Sequence, residues 1–375
     1  VAMIARETAV LMGLPAARLD NLVFACLLHD LGVSSTAEHR RLVSGAAGHD
    51  TQAHCERAFE LLQPFAHLSL LANAIRYHHT PWADLPADLG EADAIDSNLI
   101  QLADRVDALL LRHGLDNPLF HAASICREIS ALAGHVLRPE IVAAFLAAAT
   151  REAFWIALVP RHVQSYLADL ALPQWGVTIE FPQFRHVARL VSSIVDAKSH
   201  FTAAHSLGVA QLSRHLGERM GFGPDALSKM EVAGLMHDIG KLCVPDEIVE
   251  KPARLTSAEF SVMERHSFET YQILRHVPGL ETIAEWAAFH HEALNGQGYP
   301  FRRTAADLTT EARIVAVADV FQALAQARPY RGPQALEEIS RLLEEFASKG
   351  VLDADIVAVA RDDLDSSWRA ATQTH

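Results

Sequence analysis

HCERAFELLQPFAHLSLLANAIRYHH at residues 54–79 and HSFETYQILRHVPGLETIAEWAAFHH at residues 266–291 are one pattern written twice. Each begins on a histidine and ends on a histidine pair, and the first histidine is 24 residues from the pair in both (54 to 78, 266 to 290). The repetition extends outward from there. LLHDLG at 27–32 returns as LMHDIG at 235–240, and LIQLADRVDALL at 99–110 returns as IVAVADVFQALA at 314–325. LRPEIVA at 137–143 returns as LDADIVA at 352–358, each 33 residues past an aspartate (104 to 137, 319 to 352). Four ordered matches with two equal spacings define two copies of one unit, residues 1–150 and roughly 200–365. The period is far longer than that of any solenoid repeat, so this is a domain duplication.

Most segments carry apolar residues at i, i+3, i+4 and i+7, the signature of amphipathic helices. Val209, Leu212, Leu216 and Met220 form one such stripe, ended by Gly221-Phe222-Gly223-Pro224. Strand-like alternation is confined to Gly176-Val177-Thr178-Ile179-Glu180-Phe181. The expected fold is all-α: two tandem helical domains, at 1–150 and 186–375, joined by a packed linker at 151–185. Pro160, Pro173, Gly176 and Pro182 interrupt that linker, while Phe154, Trp155, Ile156 and Leu158 give it an apolar face that favours packing of the copies together.

Bulk properties narrow the function. The 375 residues carry a net charge of -14, which argues against a partner of long nucleic acid. No apolar run is long enough to span a bilayer and no leader is visible, so a cytoplasmic location is expected. Four cysteines without a paired spacing point to a reducing compartment. Cys26 and Cys126 read as core residues; Cys55 is less clear because it follows His54. The chain opens on Val1 in helix-like sequence, as a fragment would.

The 21 histidines cluster. In the second copy the candidate metal ligands are His205, His237, Asp238, His266, His290, His291 and Asp319. Imidazole and carboxylate suit Fe or Mn first, and also Ni or Zn. Seven such donors exceed the need of one ion and fit two. Adjacent helix positions diverge by about 100°, so His237 and Asp238 can serve neighbouring metals, with Asp238 as the bridge. Two metals about 3.5–4 Å apart are an established route to phosphodiester hydrolysis. Lys241 is placed to hold a phosphate oxygen. The turn-rich HHEALNGQGYP at 290–300 would present Tyr299 for stacking or hydrogen bonding, and Arg328 and Arg331 of the later RPYR suit phosphate or guanine edges.

HDIGK, VPDEIVEKPARLT, HHEALNGQGYP and ADVFQALAQARPYR together resemble the signatures of the HD-GYP family, a branch of the HD superfamily of metal phosphohydrolases. The resemblance covers about 170 residues of the second copy. It implies an all-α fold with a two- or three-metal centre and hydrolysis of cyclic di-GMP to the linear dinucleotide or GMP; some members prefer a cyclic GMP-AMP hybrid. By position, the seven candidates match the family's metal ligands. Asp238 and Lys241 match catalytic positions, and Lys241, Tyr299, Arg328 and Arg331 match substrate contacts. Members with three metals carry a glutamate where this chain has Phe201, which favours two divalent metals here. Asn295 stands where an aspartate is usual.

The first copy has His29, Asp30, His54, His78, His79 and Asp104 at ligand positions, a set for a second metal site. The counterpart of His205 falls upstream of Val1. Val33 replaces the lysine, and Thr80-Pro81-Trp82 replaces the Gly-Tyr-Pro loop, so this copy is expected to regulate and not to hydrolyse the same substrate. Alternatives for the whole chain are a cyclic-dinucleotide receptor without turnover and an HD phosphohydrolase for another nucleotide. Beyond the cyclic dinucleotide, a homodimer or a signalling partner protein is left open.

Overall fold

The structure is a computed structural model that describes residues 1–33, 38, 52–114, 116–170, 178–197, 205–326 and 332–372. All regular elements among these residues are helices, apart from isolated bridges at Ala133–Leu137 and Asn295–Thr304. No described helix is long and apolar enough to cross a membrane. The chain divides by its contacts into Val1–Thr178 and Ile179–His375.

The first unit comprises α1 (Ala2–Leu11), α2 (Ala16–Leu28), α3 (Gln52–Leu62), α4 (Ser69–Arg76), α5 (Glu91–His113), α6 (Pro118–Ser130), α7 (Pro139–Ala149), α8 (Glu152–Ile156) and α9 (Pro160–Asp169). The central helix is α5, whose Leu99, Ile100, Leu102, Ala103 and Val106 are fully buried. Phe154, Trp155 and Leu158 close the same core, and the Trp155 indole N–H donates to Ala149 O at 2.9 Å.

The second unit comprises α10 (Phe181–Ala197), α11 (His205–Arg219), α12 (Pro224–Met236), α13 (Asp246–Val249), α14 (Ser257–Leu274), α15 (Glu281–Ala288), α16 (Thr310–Ala325), α17 (Leu336–Ser348), α18 (Ala354–Asp362) and α19 (Leu364–Thr372). Here α16 is central, with Ile314, Val315, Val317, Ala318 and Phe321 buried among Leu212, Met230 and Ile356. The strand-like stretch before α10 forms no strand in its described part. Glu180 O instead accepts N–H groups from Gln183 and Phe184, which makes it the start of α10.

The duplication reaches single glycines. Gly13 (φ 75°) and Gly221 (φ 82°), 208 positions apart like His29 and His237, both turn the chain into the helix that ends on the His-Asp pair, Gly13 between α1 and α2 and Gly221 between α11 and α12. Gly32 and Gly240 follow the two His-Asp pairs and leave no room for a side chain. A Cβ on Gly32 would lie 2.0 Å from His54 O, and one on Gly240 would lie 1.9 Å from His266 O. Glycine here brings the helix carrying the next histidine against the His-Asp corner. Thr270 locks the same contact, accepting from Gly240 N at 3.0 Å and donating to His237 O at 2.9 Å.

Gly240→Ala is therefore expected to destabilise the chain by at least roughly 1–3 kcal/mol, the cost of overpacking a close backbone contact. It should lower the thermal unfolding midpoint and the metal content together. An unchanged midpoint would mean the two backbones do not meet.

Candidate metal centre

His237 is the first residue past α12, and Asp238 (φ -101°) turns away from the helix axis, so a single corner presents two ligand types. The other histidines arrive from α11 (His205), α14 (His266) and the 3-10 turn Phe289–His291, while Asp319 comes from the middle of α16. His205, His237, Asp238, His266, His290 and Asp319 are all buried.

Local backbone fixes how the rings face. Nδ1 of His237 bonds Gly234 O (2.8 Å), Nδ1 of His266 bonds Met263 O (2.7 Å) and Nδ1 of His290 bonds Ala287 O (2.6 Å). Each ring commits its Nδ1 to the carbonyl three residues back and turns its Nε2 inward. His205 is held differently: its Nδ1 meets the side-chain oxygen of Gln322, three residues past Asp319 on α16. Asp196, also buried, accepts from Ser206 N at 3.2 Å and Ser206 Oγ at 2.9 Å and so anchors the start of α11 beside His205.

The inward atoms form two groups, His205–His237–Asp238 and His266–His290–His291, each with ligand atoms within 4.8 Å of one another. Asp238 lies between them. Its Oδ2 is 3.2 Å from His237 Nε2 and 3.7 Å from His205 Nε2. Its Oδ1 is 3.5 Å from His266 Nε2 and 4.0 Å from His290 Nε2. Asp319 Oδ1 joins the first group, 3.3 Å from His205 Nε2 and 3.7 Å from His237 Nε2.

These atoms fit divalent metal. His237 Nε2 is buried and makes no aligned hydrogen bond despite its neighbour at 3.2 Å. The Nε2 atoms of His266 and His290 lie 3.3 Å apart with both Nδ1 protons already committed, so two lone pairs face each other. A cation resolves both defects. Protonation differs among the rings: although burial opposes it, the charge and hydrogen bond of Asp238 raise the His237 imidazole to about 9, so a cation there would displace its second proton. Burial drives the imidazoles of His266 and His291 down to about 3 and about 4, and that of His290 well below its ordinary value, so they stay neutral. Burial opposes ionisation of Asp238 and Asp319. The charges of His237 and Lys241 around Asp238, and the hydrogen bond and charge of His205 and the charge of His237 around Asp319, nonetheless hold both far below the usual carboxylate range.

Lys241 lies in the 3-10 turn Ile239–Cys243 and ion-pairs with Asp238 Oδ2. The Tyr299 ring is tilted 34° against His291 at a centroid distance of 4.8 Å, and Tyr299 N–H donates to His291 O at 3.1 Å. Burial pushes the Tyr299 hydroxyl far above its ordinary range, so it remains a proton donor. Arg328 and Arg331 lie outside the described residues, as does Phe201. Two supports hold the Tyr299 loop. A Cβ on Gly298 would lie 2.3 Å from Ala293 N, so the loop folds flat on its own start. The buried Glu292 carboxylate accepts from Phe301 N (2.7 Å) and Arg303 N (2.8 Å). Its only sequence signal is its position directly after His290-His291.

The first unit rebuilds much of this. Nδ1 of His29 and of His78 bond Cys26 O (2.7 Å) and Ile75 O (2.6 Å), again three residues back. His29 Nε2 is 3.5 Å from Asp30 Oδ2 and 3.9 Å from Asp104 Oδ1. Asp30 Oδ1 is 3.5 Å from His54 Nε2 and 4.0 Å from His78 Nε2. These four distances match their counterparts in the second unit to within 0.3 Å. What differs is the surround. Val33 stands at the lysine position, and Trp82 lies in a 3-10 turn under the Arg138 guanidinium (5.0 Å), its backbone N–H donated to Val136 O.

HD-domain family profiles match this chain twice, over residues 189–356 and over residues 1–109. It is 37% identical over 345 residues to the 3'3'-cGAMP-specific phosphodiesterase 1 of Vibrio cholerae, covering 90% of this chain and 80% of that protein. It is 36% identical over 165 residues to a cyclic di-GMP phosphodiesterase of Thermotoga maritima, and there the match spans 44% of each. In fold it resembles the crystal structure of a cyclic GMP-AMP specific phosphodiesterase of Vibrio cholerae, with a TM-score of 0.65 and 22% identity over 97% of this chain and 91% of that one.

If Glu292 holds the Tyr299 loop and touches no metal, Glu292→Ala should keep wild-type metal content. It should raise KM about tenfold or more, since two buried backbone donors lose partners worth roughly 1–3 kcal/mol each. Loss of metal in this variant would place Glu292 in the centre itself.

Proposed function

This chain belongs to the HD-GYP family of metal-dependent phosphohydrolases, and from that premise we propose that its second unit hydrolyses a cyclic dinucleotide at a two-metal centre. The observation that carries the reading is the Asp238 carboxylate, with one oxygen turned to each of two histidine groups. His205, His237, Asp238 and Asp319 would hold one ion; His266, His290, His291 and Asp238 would hold the other. The all-N/O donor set favours Fe or Mn, with Ni or Zn also served by imidazole. When bound, the ions supply Lewis acidity toward phosphate oxygens and an activated water.

The chain's own groups do the rest. Lys241, at the rim of the centre and partly exposed, offers its ammonium to a non-bridging phosphate oxygen. Tyr299 offers an aromatic edge and a protonated hydroxyl to the same substrate. Hydrolysis adds water across one phosphodiester link and yields the linear dinucleotide. For the substrate, the sequence favours cyclic di-GMP. What supports cyclic GMP-AMP instead is that the 3'3'-cGAMP-specific phosphodiesterase 1 of Vibrio cholerae matches 90% of this chain, across both units, whereas the cyclic di-GMP relative from Thermotoga maritima matches over 165 residues.

Two outcomes are expected. Side-by-side turnover should give a kcat/KM at least about tenfold higher for 3'3'-cyclic GMP-AMP than for cyclic di-GMP, equivalent to about 1.4 kcal/mol. Equal values, or the reverse order, would return the assignment to cyclic di-GMP. Asp238→Ala should lose up to two metal equivalents relative to wild type and at least about 1000-fold in kcat, or about 4 kcal/mol. Lys241→Ala should keep the metals and lose about 10- to 150-fold in kcat/KM, as expected for one charge-assisted contact. An Asp238→Ala enzyme with wild-type metal and turnover would refute the bridge.

A further inference from the structure

Within the cluster from His54 to His79 the first unit differs from the second at one donor. Where the second has Ser267, its hydroxyl 3.2 Å from His266 Nε2, the first has Cys55, its Sγ 3.6 Å from His54 Nε2. The substitution changes the kind of site. In the second unit, His266, His290 and His291 supply three ligand atoms, and a hydroxyl is a weak fourth. In the first, His54, Cys55, His78 and His79 supply four, all within 4.8 Å of one another. A catalytic zinc-type site keeps a position open, whereas a structural one is closed by four protein ligands.

One ligand edge already has the right length, and Cys55 Sγ also meets the His78 ring, 3.6 Å from its Nδ1. Bonds of about 2.0–2.1 Å to nitrogen and about 2.3 Å to sulfur give tetrahedral ligand–ligand edges of about 3.3–3.6 Å, beside the 3.6 Å found between Cys55 Sγ and His54 Nε2. A second observation points to a ligand without reference to the thiol. His78 is fully buried, its Nδ1 is held by Ile75 O, and its Nε2 faces the cluster with no hydrogen-bond partner. Cys55 is itself fully buried and belongs to no disulfide.

We propose that the first unit binds one soft divalent ion of the zinc class through His54, Cys55, His78 and His79, in a closed site that holds its helices together and does no hydrolysis. The thiol proton leaves to solvent on binding. The site ties α3, through His54 and Cys55, to the His78–His79 corner after α4. It stands apart from the N/O centre in metal preference as well as in task, and it does not rest on the turnover assigned to the second unit.

The test is spectroscopic. The full chain, stripped of metal and reconstituted with Co(II), should show a thiolate-to-cobalt charge-transfer band in the near ultraviolet. The second unit's proposed ligands contain no thiolate, so its ions cannot produce the band. Cys55→Ser, which installs the residue found at 267, should abolish the band and lower zinc content by one equivalent per chain. His79→Gln should also abolish it with Cys55 intact, and the helical circular dichroism of both variants should stay at wild-type level. The band should persist in Cys243→Ser, which alters the exposed cysteine, and in Asp238→Ala. No band in the wild-type chain, or a band that survives Cys55→Ser or His79→Gln, would overturn the proposal.

Discussion

The second unit is organised around one carboxylate. Asp238 is buried, ionised and surrounded by Nε2 atoms on both sides, so its cost of desolvation must be met by cations. Lys241 supplies one such charge at Oδ2. The remaining lone pairs, on imidazoles held in one orientation by their own helices, require others. The neighbouring structure answers to this demand. Gly240 is bare so that α14 can bring His266 in, Thr270 staples that approach, and Gln322 orients His205.

The first unit shows what happens when the same corner is kept and its surround is changed. The His29–Asp30 pair, the close approach at Gly32 and the carbonyl-held rings persist with nearly equal distances. The groups that would face a dinucleotide do not. A lysine has become valine, the Gly-Tyr-Pro loop has become a tryptophan turn stacked under Arg138, and a serine beside the cluster has become a cysteine. Removing a cation and adding a thiol both move the site from binding phosphate toward holding a metal for its own sake.

Much of this was legible in the sequence because it rests on residue type at fixed spacing. Helical periodicity announced the all-α fold, and the repeated His-to-His-His interval announced two copies of one corner. The structure brings His205, His237, Asp238, His266, His290, His291 and Asp319 within reach of one another, as those spacings suggest. Glu292, Gln322 and Asp196 were not legible. Each works through a backbone amide or one ring nitrogen that only the folded chain supplies, and glutamate, glutamine and aspartate on helical sequence otherwise read as solvent-facing. The apparent strand before α10 misled for a related reason: alternation over six residues carries too little information to outweigh a helix start set by Glu180 O. Arg328 and Arg331 lie outside the described residues, so their part in substrate binding stays with the family pattern.

The central claim is that Asp238 bridges two metals, and a crystal structure of the chain loaded with Mn or Fe, with anomalous difference maps, tests it most directly. The account predicts two peaks in the second unit about 3.5–4 Å apart, one against His205 and His237 and the other against His266 and His290, with a different oxygen of Asp238 on each. A single peak there, or both oxygens of Asp238 on the same ion, would contradict it.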